Sequence, residues 1–243
     1  MGLLNDFDTF CSNIKLDNLA DMKKTTEEIA KKLNTSYYDL DNETELHMYI
    51  VGSVGRNTAI SGSSDLDILF DLPVNVYRQY NAFSYNGQSA LVQAVKKVLK
   101  EKYTSTNIRG DGQVVVIAFD KYTIELVPGF KQVDNRFKYP DTHDGGSWKY
   151  TDPLSEQSAC ADCETKSEGK YFDFCHIIRS WKNNIGFKMG GLLIDTLVYD
   201  FFDINECFAG SPQKNYLEIL QALFEYLKNQ DKDRSHWYAM GSH

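Results

Sequence analysis

The chain has 243 residues, enough for one large domain or two lobes around a sizeable core. Its composition, 42% hydrophobic and 25% charged, excludes a disordered or membrane-embedded chain, and no run approaches the ~18 apolar residues that span a bilayer. Acids outnumber bases 34 to 26, a formal net charge of −8, which argues against strong generic binding to nucleic acid, where cations must replace condensed counterions.

The N-terminus, MGLLNDFDTF, has acids where a secretory signal carries Lys or Arg, and Asp6 where a myristoylation signal has Ser or Thr. A soluble cytoplasmic protein is expected. Residues 16–33 place Leu19, Met22, Ile29 and Leu33 near one stripe, the pattern of an amphipathic helix. Two strands follow, His47–Val51 and Asp65–Phe70, bracketing the polar stretch GSVGRNTAISGSSDLD at 52–67. Residues 87–102 predict a helix with Leu91, Val95, Val98 and Leu99 on its apolar face. Arg109-Gly110-Asp111-Gly112 reads as a turn leading to strands 113–119 and 122–127, which Asp120-Lys121 joins in a tight hairpin. Pro128-Gly129 is expected to close that sheet, and 131–153, rich in Pro, Gly, Asp and aromatics, to form a structured loop. Helical patterns then run through 168–184, 190–202 and 213–229, the last aligning Tyr216, Leu220, Leu223 and Leu227. The expectation is an α+β architecture: a mixed α/β lobe with N-terminal helices at 1–150, a helical lobe at 151–243, and a cleft between them.

The chemistry concentrates in the polar stretch. Strand side chains alternate, so Asp65 and Asp67 share a face. Two carboxylates that close repel unless a cation sits between them, and Mg²⁺ is the hard ion that shares its shell with phosphates. Alone, so short a motif matches often by chance, and a solvated strand end is the plainer reading. Gly52-Ser53 adds free backbone N–H groups and a hydroxyl at the end of the first strand, an anion site that glycine lets a phosphate approach. No Lys follows the glycines, so this is not a P-loop. Arg56 either lines the same pocket or pairs with a core acid; the sequence leaves both open. Glu125 lies in mid-strand with Thr123 and Val127 on its own face and Ile124 and Leu126 on the other, which requires a partner, a metal ion or a buried Arg.

Cysteines at 11, 160, 163, 175 and 207 are odd in number and irregular in spacing, consistent with reduced thiols. Cys160 and Cys163 form a CxxC. Further zinc ligands would have to come from Cys175, His176, Cys207 or His143, and no second close pair exists. Two thiols on or beside a helix is the simpler reading.

GSxxRxT followed by SDLDI, then an acid before VPGF, resembles the polymerase β-like nucleotidyltransferase superfamily, and within it the bacterial cGAS-like synthases of nucleotide second messengers (CD-NTases). The resemblance runs from about residue 18 to the C-terminus and includes GGSWKYTDP at 145–153, RSWKNN at 179–184 and GGLLIDTLVYDFF at 190–202. It implies that Gly52 and Ser53 hold an NTP triphosphate, and that Asp65 and Asp67 bind two Mg²⁺ ions, with Mn²⁺ a possible substitute. Glu125, where most relatives have Asp, would complete the second ion site, and Arg179 and Lys182 would face the phosphates. It further implies a cyclic or short linear oligonucleotide product, a downstream effector that reads it, and a part in anti-phage signalling. Relatives commonly continue past the segment resembling HWYAMGSH, where this sequence stops. Two rivals remain on the same fold: adenylylation of a protein or small molecule, and a nucleotide-sensing scaffold without activity.

Overall fold

In the computed structural model, which describes residues 2–62, 65–205, 216–231 and 233–242, the chain divides into two compact units. One comprises Asn18–Gly55 and Ser64–Leu154 and holds every strand named below; the other comprises Met1–Asp17, Arg56–Ser63 and Ser155–His243 and is helical.

The sheet unit is built on strands β1 (Met48–Ile50), β2 (Asp65–Asp71), β3 (Asn107–Asp111), β4 (Val114–Ala118) and β5 (Thr123–Lys131), in spatial order β1-β2-β5-β4-β3. β2 and β5 run parallel, and the other pairs are antiparallel. Hydrophobic alternation sets the faces: Leu66, Ile124 and Leu126 are fully buried, while Asp67, Glu125 and Val127 on the opposite side are only half-buried. The expected helix at 87–102 is α5 (Gly87–Lys102), in chain order after α4 (Val74–Asn81). Asn86 caps it by accepting from the Ser89 N–H at 2.9 Å, and Leu91, Val92, Val95 and Leu99 are buried. The first predicted helix starts at Leu19 and runs on to Tyr38 (α2), because Asn34 is buried and its amide donates to the Leu46 carbonyl at 2.9 Å. The chain leaves it through Asp39 in the left-handed region (φ 55°).

Three expectations for this unit need correction. Residues 109–111 are not a turn but the body of β3; the reversal is the two-residue loop Gly112-Gln113, with Gly112 at φ +57°. Pro128-Gly129 does not end the sheet, since β5 continues to Lys131, with Pro128 opposite Phe70 and the Gly129 carbonyl accepting from the Leu72 N–H at 2.8 Å. Residues 131–153 are not a loop either. They contain the hairpin of β6 (Phe137–Asp141) and β7 (Ser147–Thr151), turned through a 3₁₀ segment at His143–Gly145. Aromatic packing holds this hairpin on the sheet: Trp148 stands edge-on to Tyr77 and Phe130 with centroids 5.1 and 5.6 Å away, and Phe137 is fully buried.

The helical unit contains α1 (Gly2–Asn13), α7 (Lys170–Ile185), α8 (Gly191–Ile204), α9 (Tyr216–Lys228) and nearly all of α6 (Pro153–Lys166). α7, α8 and α9 answer to the three predicted helices within a few residues; Gln213–Asn215 lie outside the described residues. Tyr216, Ile219 and Leu223 of α9 are buried with Phe174, Ile194 and Phe201, and Tyr216 stacks on both Phe174 and Phe7 at 5.7 and 5.3 Å. A boundary at residue 150 assigns 1–17 and 56–63 to the first lobe. Their contacts put them with the helices instead, where α1 packs on α7 and Ser61 donates to the Ile14 carbonyl at 2.7 Å.

Candidate active site

The expected acids converge on one face of the sheet unit. Asp67 lies directly opposite Glu125 across the parallel β2–β5 pair, and Asp65 opposite Thr123, so all three carboxylates project from the same side. Burial holds the Glu125 carboxyl above its ordinary range, and the negative charges of Asp67, Asp65 and Asp111 push it further the same way, while Arg109 opposes them. A carboxylate kept against that field is suited to a cation.

β1 delivers the chain to the acids through α3, the single helical turn Gly52–Gly55. Its first residue favours glycine for two reasons. Gly52 has φ +61°, and a Cβ there would lie 1.9 Å from Asp67 Oδ2. The carboxylate therefore rests where a side chain would otherwise stand. The turn is pinned to the same strand, because the Val51 N–H donates to the Asp67 carbonyl at 2.9 Å and the Gly55 N–H to the Val51 carbonyl at 3.0 Å. Gly52, Ser53, Asp65, Asp67 and Glu125 thus belong to one unit and lie on or next to three neighbouring strands, β1, β2 and β5. Ser63 and Ser64, which precede the acids in the sequence, lie outside the described residues.

The donor set fits a hard divalent cation: carboxylate oxygens only, three on one face, beside a backbone turn whose glycine Cβ position is filled by one of them. Among the described residues no group of three or more His, Cys, Asp or Glu side chains is arranged to hold a metal ion as it stands.

The basic residues singled out from the sequence lie in the helical unit. Arg56 resolves as the core partner: its Nε donates to Asp195 at 3.0 Å and its NH1 to Glu156 at 2.8 Å, and those two acids outweigh the cost of its burial to keep it protonated. Arg179 also engages Asp195, donating from Nε at 3.1 Å and from NH2 at 2.7 Å, and gives a further NH2 bond to the Gly191 carbonyl at 3.0 Å. Lys182 follows one turn later on α7 and is partly exposed. Cys160 and Cys163 lie a turn apart on α6, both buried in the apolar core, with the Cys160 thiol 3.2 Å from the Tyr171 hydroxyl. Burial pushes their thiols up to about 11 and 12, so they are poor thiolate donors at neutral pH. Cys207 lies outside the described residues.

Reading 109–112 as a turn hid two charged residues of the acid face, Arg109 and Asp111. The signal was present in NIRGD, whose alternate positions Ile108 and Gly110 face the sheet's helix-covered side, but a Gly between charges masked it.

A family model, the Second Messenger Oligonucleotide or Dinucleotide Synthetase (SMODS) domain, matches residues 1–163. The chain belongs to the SMODS family. A curated relative, a probable cyclic nucleotide synthase of Bacillus cereus (strain VD146), is 22% identical over 184 residues, covering 72% of this chain and 54% of its own length. The chain therefore spans about half the length of the curated relative it matches. Among solved structures, CdnC of E. coli MS115-1 with ATP superposes with a TM-score of 0.66 at 16% identity, over 91% of this chain and 70% of that one. CdnE cyclic dinucleotide synthase of Elizabethkingia meningoseptica, solved with GTP and Apcpp, gives 0.62 at 15% identity, over 85% and 78%. The SMODS chain thus shares the polymerase β-like fold of the bacterial cGAS-like synthases, as its motifs led one to expect.

Proposed function

We propose that this SMODS protein is a metal-dependent nucleotidyltransferase that joins NTPs into a cyclic or short linear oligonucleotide second messenger with release of pyrophosphate. The observation that carries the reading is the register of β2 and β5, which sets Asp67 opposite Glu125 with Asp65 on the same face, against a turn that favours glycine. Relatives solved with ATP or with GTP and Apcpp support NTPs as the substrate class.

In this reading the N–H groups of Gly52 and Ser53 and the Ser53 hydroxyl hold the donor triphosphate. Asp65 and Asp67 would hold two Mg²⁺ ions, or Mn²⁺ in their place, and Glu125 would complete the ion site nearer the attacking hydroxyl. When bound, such ions supply positive charge at the phosphates and acidify the hydroxyl. Glu125 orients that hydroxyl toward the α-phosphorus, in line with the leaving pyrophosphate. Lys182 is the better of the two basic candidates for the phosphates, since the Arg179 guanidinium is already engaged by Asp195. A cytoplasmic protein signalling phage infection to a downstream effector completes the proposal; no described helix is long and apolar enough to cross a membrane.

The test is purified protein with all four labelled NTPs and Mg²⁺ or Mn²⁺, followed by phosphatase and mass analysis. Small phosphatase-resistant species, with no label on protein, are expected. Label confined to a co-purified protein would replace the reading with adenylyl transfer.

A further inference from the structure

The acid face does not stop at Glu125. Pairing across the sheet continues the same row: Asp67 opposite Glu125, Glu125 opposite Val116, and Val116 opposite Arg109. Directly paired residues project to one face, so Arg109 stands on the carboxylate side, two strands beyond Glu125 and roughly 10 Å from it along the sheet. β3 is held in that orientation from behind. A Cβ on Gly110 would meet Gln93 Nε2 at 2.7 Å and Val92 Cγ1 at 3.0 Å, both on α5, so this strand packs flush on the helix and turns Arg109 and Asp111 outward. The Arg109 side chain is 59% exposed, and its nearest acid is Asp111 on the same strand, with Nε 3.7 Å from Oδ2. At that distance the two form an exposed ion pair without a hydrogen bond.

The row has a direction. Gly52 and Ser53 adjoin β1 at one edge of the sheet, Asp65 and Asp67 come next on β2, Glu125 follows on β5, and Arg109 lies on β3 at the other edge. If the donor triphosphate lies at the glycine end and the attacking hydroxyl at Glu125, the remainder of the acceptor nucleotide extends toward β4 and β3. Its own 5′-phosphate is the anion that would arrive there, among four carboxylates that would otherwise repel it. Arginine is the side chain suited to it, presenting a fixed fork of donors to phosphate oxygens.

We propose that Arg109 binds the 5′-phosphate of the acceptor nucleotide and so selects phosphorylated acceptors over free nucleosides. The inference rests on the synthase reading for the direction of the row, and its test is independent of turnover. Wild type, Arg109→Ala and Arg109→Lys are saturated with a nonhydrolysable ATP analogue and Mg²⁺ to fill the donor position. Each is then titrated calorimetrically with the four nucleoside 5′-monophosphates and the four matching nucleosides. The wild type is expected to prefer the monophosphate of at least one base. Arg109→Ala should weaken that monophosphate about tenfold or more while leaving its nucleoside unchanged, and Arg109→Lys should fall between them. Equal monophosphate affinity in wild type and Arg109→Ala would overturn the assignment. So would parallel loss of monophosphate and nucleoside, or a wild type indifferent to the phosphate. The failure of the synthase reading is scored separately, by the absence of any oligonucleotide from wild type with all four NTPs. Arg109 is exposed, so matching melting curves are expected for all three proteins.

Discussion

Two clusters of charge in this molecule are built on opposite terms. Around Asp195 in the helical unit, two arginines meet two acids: Asp195 is fully buried and takes bonds from Arg56, Arg179 and Thr58, and Glu156 takes the other side of Arg56. Charge and hydrogen bonding close on themselves there, as a buried ion network must. On the acid face of the sheet unit, Asp65, Asp67, Glu125 and Asp111 face Arg109, and the Glu125 carboxyl is held high by burial and then by the neighbouring acids. The first cluster is complete without a ligand and ties α6, α7, α8 and the 56–58 segment together. The second sets four carboxylates against one guanidinium, and the proposed function places a cation among them. Balance within the fold marks structure; an imbalance held in place by rigid strands marks function.

Breaking the balanced cluster should produce the largest effect on the fold. Asp195→Asn leaves one buried and one partly buried guanidinium facing one carboxylate, a change of the kind that costs up to about 3–5 kcal/mol. Urea denaturation of the variant is expected to show a midpoint well below wild type; an unchanged midpoint would mean that the network contributes nothing net. Asp67→Asn should do the reverse. It relieves repulsion, so stability holds or rises, while turnover falls on the order of 10³-fold, equivalent to ~4 kcal/mol of lost stabilisation. Near-wild-type turnover in that variant would remove Asp67 from the ion site.

Much of this contrast was legible in the sequence, and the reason differs between the clusters. Strand alternation alone put Asp65 and Asp67 on one face, and the apolar pair Ile124 and Leu126 fixed the facing of Glu125, because burial of one side of a strand specifies the other. The Asp195 cluster was not legible. Arg56 and Asp195 are 139 positions apart, and no local pattern links a strand-following loop to the second turn of α8. The sheet's far reach was hidden for another reason. Gly110, Pro128 and Gly129 carry strong turn weight locally, yet tertiary contacts favour small residues at the two glycines: α5 crowds Gly110, and Leu69 stands 3.1 Å from a Cβ on Gly129. For β6 and β7, aromatic packing overrode a composition rich in Pro, Gly and Asp.

The hinge between scaffold and chemistry is Gly52, and it gives a prediction of intermediate size. Gly52→Ala must hold φ +61°, which costs about 1–2 kcal/mol for an L-residue. Its methyl would also displace the Asp67 carboxylate, whose Oδ2 lies 1.9 Å from that position. Stability should therefore drop modestly and turnover by about 10²-fold, as expected when a reacting group is misplaced by an ångström. Equal activity with unchanged Asp67 position in a crystal structure would show that the turn tolerates a side chain and that the acid is not seated on it.

The smallest effect tests the imbalance itself, through pH. In the folded protein, burial and the charges of Asp67 and Asp65 raise the Glu125 carboxyl above its ordinary value of 4.5. From pH 4.5 upward the folded state therefore retains a proton that the unfolded chain has already lost. The folded state binds more protons in that window, so the stability of metal-free protein declines as pH rises through it and is undiminished below it. Glu125→Gln cannot ionise and should lack that component of the pH dependence. The group is only partly buried, so solvent screening keeps the difference small. Urea midpoints of both proteins in EDTA, taken stepwise from pH 4.5 to 7, read it as a wild-type curve that falls away from the Gln variant. Mg²⁺ should then raise the wild-type midpoint at pH 7 more than that of Glu125→Gln, because the ion engages a carboxylate the variant lacks. Superimposable pH curves, or equal Mg²⁺ responses, would mean that Glu125 is not electrically coupled to the two aspartates, and the acid face would lose its third member.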